Sequence, residues 1–120
     1  MEEKTVKFKS YAFALRIIKA YKFLSEDQRE FVLSKQLLRS GTGIGALIRE
    51  AEHAESKADF IHKLSISLKE ANETEYWLML LHDSGFLDEK SFKSIVSDCQ
   101  ELIKMLISII KSSKDNIKNK

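Results

Sequence analysis

Residues 40–51 read SGTGIGALIREA and contain three of the four glycines of this 120-residue chain, Gly41, Gly43 and Gly45. Such a cluster is typical of a phosphate-binding loop, or of a helix whose backbone a neighbour approaches closely. A phosphate-binding loop requires a preceding strand and a following lysine next to serine or threonine. The stretch has neither, since SKQLLRS before it has a helical pattern and GTGIGAL contains no lysine. The glycines therefore do not predict a nucleotide site.

The residues around the glycines keep a helical register. Leu37, Gly41, Ile44, Ile48 and Ala51 are separated by four, three, four and three positions, which is the spacing of one helix face. Each glycine destabilises a helix by about 0.5–1 kcal/mol relative to alanine, so a compensating contact is expected. We predict that a neighbouring helix packs closely at this point. A kink, or a split into two helices, is the alternative.

The composition favours long helices in a soluble domain. The chain has no proline, 43% hydrophobic residues and 32% charged residues, which removes most helix breakers and is typical of a globular protein. The start, MEEKTVKFKS, lacks the apolar core of a signal peptide, and no apolar run approaches the roughly 18–20 residues of a membrane span. The single cysteine, Cys99, excludes an intramolecular disulfide. We expect a cytoplasmic protein.

Periodicity and capping signals predict four helices. The first spans about residues 5–24. The sequence SEDQ at 25–28 has the form of a capping box, so we predict a second helix of about 30 residues from there to about Glu55. At about 1.5 Å per residue this helix would be on the order of 40 Å long.

Two further helices follow after short polar joints. SKAD at 56–59 predicts a third helix from residue 57 to about 83, ended by Gly85 in the left-handed conformation. Asp88 is predicted to cap a fourth helix, which carries an apolar stripe of Phe92, Ile95, Cys99, Leu102, Leu106 and Ile109. Helices of this length with short joints predict an all-α, antiparallel up-down four-helix bundle. We assign residues 1–114 to this domain and 115–120 to a frayed basic tail.

The first predicted helix has a wide apolar face made of two rows of side chains. One row consists of Tyr11, Ala14, Leu15, Ile18 and Tyr21, and the other of Phe13, Ile17 and Ala20. Two such rows are wider than a single partner helix requires. The width favours a further partner for this helix.

Opposite charges are concentrated in different parts of the chain. Residues 50–89 have a net charge of −7, although the whole chain has +2, and six cations but no carboxylate lie between Lys4 and Leu24. Two interpretations remain open. Either the two signs occupy solvated helix faces and attract one another within the fold, or a basic surface binds nucleic acid.

The stretch SKQLLRSGTGIGALIREA, followed by SKADFIHKLSISLKEANETEYWLMLLHDSGFL, resembles the four helix bundle proteins, also called 23S rRNA-intervening sequence proteins or the S23 family. The similarity extends from about Phe13 to Leu106. It implies antiparallel four-helix bundles that assemble as homopentamers. The chain departs from the family at Gly43, where serine is frequent, and at Leu47, where asparagine is frequent. A four-helix bundle related to this family, the accessory protein of diversity-generating retroelements, looks like a pentamer. It binds nucleic acid and a reverse transcriptase, as far as the resemblance implies.

The sequence does not predict a metal site. The di-metal sites of ferritin-like bundles use a Glu-x-x-His pair on each of two helices. Glu50 and His53 have this spacing, but neither His62 nor His82 follows a glutamate at that interval. We therefore predict no metal, no cofactor and no catalytic residue.

Other candidate residues have structural interpretations. We expect Glu70 and Glu73 to pair with Arg39 or Arg49 across the bundle. Cys99 lies in the apolar stripe and is expected to be a structural thiol. Helix packing or a subunit interface is predicted for Gly41, Gly43, Gly45, Ile44, Ile48 and Trp77.

The sequence as a whole predicts a non-enzymatic homo-oligomer, a pentamer by the family resemblance, that acts as a scaffold or adaptor. Five copies of the basic first helix and tail would combine weak phosphate contacts to RNA or DNA into avidity. The cations predicted to make these contacts are Lys4, Lys7, Lys9, Arg16, Lys19, Lys22, Lys111, Lys114, Lys118 and Lys120. The alternative is a module that binds another protein and has no nucleic-acid role.

Overall fold

The computed structural model describes residues 2–118, with side chains for 4–117, and this range contains four α-helices and no strand. Their bounds are α1, Glu2–Lys22; α2, Leu33–Glu52; α3, Lys57–Asp83; and α4, Glu89–Lys118. Each helix packs on the next in the chain, and α4 packs back on α1. The result is a four-helix bundle that measures 53 × 22 × 19 Å. The all-α prediction is confirmed, and the boundary predicted at residue 114 stays a prediction.

The core consists of one apolar stripe from each helix. On α4 the predicted stripe is confirmed from Ile95 onward, since Cys99, Leu102 and Leu106 are at most 1% exposed. On α1 the buried side is the row that contains Phe13 and Ile17. These stripes recur every three or four residues, as a helix face buried in a bundle requires.

The glycine stretch lies inside α2, so the predicted helical register is confirmed. A Cβ atom added to Gly41 would lie 2.7 Å from Cγ1 of Ile17, and one added to Gly45 would lie 3.2 Å from Oγ of Ser10. Both neighbours belong to α1. Gly43 faces α3 instead, where an added Cβ would lie 3.3 Å from Oε2 of Glu70. Close approach of α1 to the bare backbone of α2 is therefore the role of Gly41 and Gly45.

The predicted capping box at residues 25–28 is wrong. Residues Phe23–Asp27 form a π-helical turn that continues α1. Ser25 does not cap a new helix, because its hydroxyl donates backwards to the carbonyl of Tyr21 at 2.8 Å. The chain stays helical here because Leu24 continues the buried row of α1 and is 0% exposed. Burial of Leu24 therefore outweighs the polar capping motif at residues 25–28.

Glu30 provides the actual cap of α2. Its carboxylate accepts hydrogen bonds from the amides of Val32, Leu33 and Ser34 at 3.1, 2.9 and 2.7 Å. These are amides that the first turn of a helix leaves without partners. The second helix therefore has 20 residues and is about 30 Å long at 1.5 Å per residue, shorter than predicted. The preceding residue, Arg29, has φ of +54° and turns the chain in the left-handed region.

The remaining joints agree with the sequence prediction. The hydroxyl of Ser56 accepts from the amide of Asp59 at 3.0 Å and caps α3. Gly85 follows α3 with φ of +89°, a conformation that glycine adopts without strain. The carboxylate of Asp88 accepts from the amide of Ser91 at 2.7 Å and caps α4. The predicted bounds of α3 are confirmed.

Candidate nucleic-acid and subunit interfaces

Three of the six cations predicted on α1 are engaged in ion pairs within the bundle. Lys7 Nζ lies 2.9 Å from Glu52 Oε1 on α2, and Lys9 Nζ lies 2.8 Å from Glu101 Oε2 on α4. The hydrogen bond from Lys7 is the main cause of a lowered pKa of the Glu52 carboxyl. Part of the positive charge on α1 is therefore balanced by its neighbours.

Arg16 forms the third of these contacts. Its Nη1 lies 2.6 Å from Oδ2 of Asp98, and its Nη2 donates to Oγ of Ser94 at 2.9 Å. Both partners lie on α4. Together with the pairs of Lys7 and Lys9, this contact supports the interpretation in which opposite charges attract within the fold.

The other three cations of α1 point into solvent. Lys4, Lys19 and Lys22 are exposed, and none of them forms an ion pair with the side chains of residues 4–117. Lys19 lines a cleft of about 670 Å³ between α1 and the start of α4, together with Arg16, Lys90 and the apolar ring of Phe23. Asp88 lines the cleft as well, and Arg16 already faces Asp98, so the cations of this cleft are partly balanced.

The predicted lysines near the end of α4 lie away from that cleft. α1 and α4 are antiparallel, as the Lys9–Glu101 and Arg16–Asp98 pairs establish. The exposed Lys111 is therefore about 30 Å along α4 from the first turn of that helix, at 1.5 Å per residue. Lys114 is exposed as well, whereas the side chain of Lys118 and all of Lys120 lie outside the described residues. The predicted cations thus form two separate groups.

An apolar stripe covers the outer side of α1. Phe8, Tyr11, Leu15 and Ile18, hereafter the α1 stripe, are 77%, 56%, 53% and 37% exposed. The two predicted rows of α1 therefore face different directions: one is buried in the core and the other lies on the surface. Phe8 was not among the predicted residues, although it precedes Tyr11 by three positions and continues its row.

A positive charge borders this stripe from α2. The guanidinium carbon of Arg49 lies 5.7 Å from the centre of the Tyr11 ring, within the range of a cation–π contact. Arg49 is exposed. The predicted partner of the acids on α3 is instead Arg39, which lies 3.2 Å from Glu73 and 3.7 Å from Glu70.

A second surface with exposed apolar side chains lies on the outer side of α3. It comprises Leu68, Asn72, Tyr76 and Met79, hereafter the α3 face. Tyr76 is 55% exposed and Met79 is 47% exposed, while Asn72 is exposed and polar and Leu68 packs partly on the core. A shallow groove of about 450 Å³ runs along it. The groove is lined by Ser65, Leu68, Lys69, Asn72, Glu73 and Tyr76.

The predicted packing residues belong to contacts inside the bundle. Ile44 and Ile48 are buried in the core, and the carbonyl of Ile44 accepts from the hydroxyl of Ser67 at 2.8 Å. Trp77 is half-buried beside Tyr76, with 5.2 Å between the ring centres, and its buried Nε1 makes no hydrogen bond with the described residues. A further role of this set between subunits stays a prediction.

Two observations on the described part of the chain concern metal ligands and the single thiol. No group of three or more His, Cys, Asp or Glu residues there could hold a metal ion. The thiol of Cys99 donates to the carbonyl of Ala71 at 3.3 Å, and burial raises its pKa to about 12, with smaller contributions from Glu75 and Asp98. Such a thiol is not a nucleophile at neutral pH. None of the described helices combines the length and apolarity that a membrane span requires.

Comparisons with known proteins agree with this architecture. The family model described as 23S rRNA-intervening sequence protein matches residues 2–108. The chain is also similar to a protein of unknown function from the S23 ribosomal protein family of Bacteroides thetaiotaomicron VPI-5482, whose crystal structure has a resolution of 1.70 Å. The two are 59% identical with a TM-score of 0.91, over 92% of this chain and 99% of that chain. No curated protein matches the chain.

Proposed function

Because the chain belongs to the family of 23S rRNA-intervening sequence proteins, we propose that it is a non-enzymatic, cytoplasmic scaffold or adaptor that works as a homo-oligomer. The number of subunits proposed is five, by the family resemblance. The observation that carries the proposal is the α1 stripe, which leaves Phe8 77% exposed and Leu15 53% exposed in the single chain. A contiguous apolar surface of this kind is typical of an association site.

Assembly would bring the basic groups of several subunits together in one particle. Each copy offers exposed cations at Lys19, Lys22, Lys111 and Lys114, and each phosphate contact made by one lysine is weak and depends on salt. Several copies held in one particle multiply these contacts into avidity. We propose that structured RNA or duplex DNA is the ligand. Lys7, Lys9 and Arg16 would contribute less, because their charges already face carboxylates.

Light scattering of the purified protein tests the first part of the proposal. A homo-oligomer gives a mass that is a multiple of the 13.8 kDa of one chain, and a pentamer gives five times that mass. A particle that stays at the mass of one chain over the micromolar range would refute the scaffold. Another multiple would refute the number five alone.

A gel-shift titration tests the second part. The protein is expected to bind structured RNA or duplex DNA at low salt, with an affinity that falls as salt rises. The double variant Lys111→Glu/Lys114→Glu, at exposed positions of α4 away from the α1 stripe, should bind more weakly than the wild type. Lys35→Glu, at an exposed lysine of α2, is the control for a change of charge away from the proposed surface. Absence of binding by micromolar wild-type protein at low salt would refute a nucleic-acid role.

The rival function is a module that binds another protein. It is favoured by the pairing of Lys7, Lys9 and Arg16 within the bundle, which reduces the charge available to a phosphate backbone. In that case one protein partner should co-purify in a fixed ratio and stay bound after nuclease treatment. Loss of the partner on nuclease treatment would instead favour the nucleic-acid role.

A further inference from the structure

We propose that the subunits associate head to tail, with the α1 stripe of one copy packed on the α3 face of the next. This contact rests on the homo-oligomer proposed above and names the two surfaces that form it. The partner of each surface is therefore a second copy of this chain.

The α1 stripe has the geometry of a helix-packing surface. Its members lie at positions 8, 11, 15 and 18, and the separations of three, four and three residues place them along one face of a helix. The opposite side of α1 is already used, because Val6, Phe13 and Ile17 are buried against the bundle. The four side chains of the stripe therefore stay at least 37% exposed among the described residues, with Arg49 of α2 bordering the Tyr11 ring.

The charges around the α1 stripe disfavour pairing of this surface with itself. No carboxylate occurs between Lys4 and Leu24. In a two-fold antiparallel pair of α1 helices, Lys4 of one copy would approach Lys19 and Lys22 of the other. Like charges brought together across an interface are unfavourable. The surface that covers the α1 stripe should carry carboxylates instead.

The α3 face meets this requirement. Tyr76 and Met79 are about half exposed. The carboxylates of Glu75 and Asp83 lie on the same helix within seven residues of Tyr76, whereas the nearby charge of Glu73 already faces Arg39. Lys69 is the only lysine on α3 C-terminal to residue 63. An acidic rim beside apolar residues complements a basic rim beside apolar residues, so the two surfaces match in both respects.

The positions of α1 and α3 permit a repeating assembly. Both helices pack on α2 and on α4, so they lie diagonally across the bundle and their outer surfaces face away from each other. One copy can therefore use both surfaces at once with two different neighbours. A contact between two unlike surfaces forms a closed ring when its rotation closes, and a filament when it does not.

Two double variants, each carrying two new lysines, separate the surfaces. Phe8→Lys/Leu15→Lys removes apolar side chains from the α1 stripe, and Tyr76→Lys/Met79→Lys does the same on the α3 face. All four positions are exposed, and lysine is a good helix former, so both variants should fold. Ser97→Lys/Ser112→Lys, at exposed positions of α4, is the control with the same added charge. Circular dichroism and thermal unfolding verify the fold of each protein.

The decisive measurement is the mass of the two variants, alone and mixed. Each variant alone should have the mass of one chain, 13.8 kDa, while wild type and the control remain oligomeric. An equimolar mixture should form a 1:1 pair, because one copy still has an intact α1 stripe and the other an intact α3 face. The two altered surfaces repel each other, so the pair cannot extend to a ring.

Other outcomes overturn the inference in distinguishable ways. If wild type is oligomeric but Tyr76→Lys/Met79→Lys assembles as wild type does, the α3 face is not the partner and the scaffold proposal stands. The same conclusion follows if both variants are monomeric and their mixture is monomeric too. A monomeric wild type would overturn the scaffold proposal and the head-to-tail contact together.

Discussion

The helices α1 and α2 meet in a lateral contact and are connected by a joint, and only the lateral contact was predictable from sequence. Along their sides they meet where Gly41 and Gly45 expose the backbone of α2 to Ile17 and Ser10 of α1. At their ends they are joined by residues 23–32, where the predicted capping box is absent. The lateral contact was predicted in outline and the joint was predicted wrongly.

The difference reflects how many residues specify each feature. The register through the glycines is defined by apolar positions from Leu37 to Ala51, and all of them must agree for a helix to continue. The capping box depends on Ser25 and Gln28 alone. A motif of two residues occurs often by chance, and burial of Leu24 at 0% exposure outweighs it. Long periodic signals are therefore better evidence than short local ones.

Gly41→Ala is expected to have the largest effect on this comparison. A Cβ at this position would lie 2.7 Å from Cγ1 and 2.8 Å from Cγ2 of Ile17, so either the side chain or the helix must shift. Overpacking of a core usually destabilises by about 1–3 kcal/mol, which exceeds the roughly 0.5–1 kcal/mol that alanine contributes as a better helix former. Urea unfolding should show a lower free energy of unfolding for the variant.

Gly43→Ala is the matched control in the same turn of helix. The added Cβ would meet the carboxylate of Glu70 at 3.3 Å, and the end of that side chain can move. The gain in helix propensity should dominate, so this variant is expected to be as stable as wild type or more stable. Equal destabilisation by the two changes would show that glycine itself, and not close packing at Gly41, is required.

Loss of the Glu30 cap is expected to have the next largest effect. Glu30→Gln removes the charge and one of the two acceptor oxygens that face the amides of Val32, Leu33 and Ser34. The variant should therefore lose part of the roughly 0.5–2 kcal/mol that a helix cap contributes. Glu26→Gln, at an exposed glutamate four residues earlier, is the control. If the two variants have equal unfolding free energies, α2 does not depend on this cap.

The same cap predicts a dependence on pH. Partial burial raises the pKa of the Glu30 carboxyl, but hydrogen bonds from the amides of Leu33, Ser34 and Val32 outweigh it and lower the pKa overall. A carboxyl with a lowered pKa stabilises the fold above its unfolded pKa, and this stabilisation is lost as pH falls through the folded pKa. The difference in stability between wild type and Glu30→Gln should therefore be constant near neutral pH and should shrink below about pH 4.

Arg29→Gly tests a smaller feature of the joint. Arg29 has φ of +54°, and this left-handed conformation is unfavourable by about 1–2 kcal/mol for a residue with a side chain. Glycine relieves the strain but makes the unfolded chain more flexible, so a net stabilisation of about 0.5 kcal/mol is expected. Arg29→Ala keeps the strain and should change little. A glycine variant less stable than the alanine variant would contradict strain at this position.

Much of the fold, but less of the candidate site, was predictable. The bounds of α3 and the caps at Ser56 and Asp88 followed from sequence because each signal lies next to a long apolar pattern. The cap by Glu30 did not, because glutamate is not a usual capping residue and its reach depends on the turn at Arg29. The conformation of Arg29 has no signal in the sequence, since arginine rarely takes positive φ.

The ion pairs at the surface were not predictable from sequence either. Sequence gives the six cations of α1, but not which of them face a carboxylate on another helix. Lys9 and Glu101 are 92 residues apart in sequence and 2.8 Å apart in space. Their pairing depends on the relative rotation and offset of α1 and α4. The α1 stripe was visible as a second apolar row, whereas its exposure followed only from the packing of the first row.

His82 provides the smallest expected effect, at the joint between α3 and α4, where the sequence prediction of the caps was correct. Its Nδ1 lies 2.9 Å from Asp83 Oδ1, and its Nε2 lies 3.3 Å from Glu89 Oε2. The hydrogen bond with Asp83 is the main cause of a raised pKa of His82, and Glu89 adds to it against partial desolvation. A raised pKa stabilises the fold below the unfolded pKa, and this contribution is lost as pH rises through the folded pKa.

His82→Gln should remove the pH-dependent part of the stability that the charged imidazole contributes at this joint. The imidazole also stacks on Phe92, with 4.3 Å between ring centres, so the variant loses a contact at every pH. The informative quantity is therefore the difference in urea midpoint between pH 5.5 and pH 8, which should be smaller for His82→Gln than for wild type. His62→Gln, at an exposed histidine of α3, should retain the wild-type difference. If all three proteins show the same difference, the two carboxylates do not hold a charged His82 in the folded state, and this joint depends on its backbone caps alone.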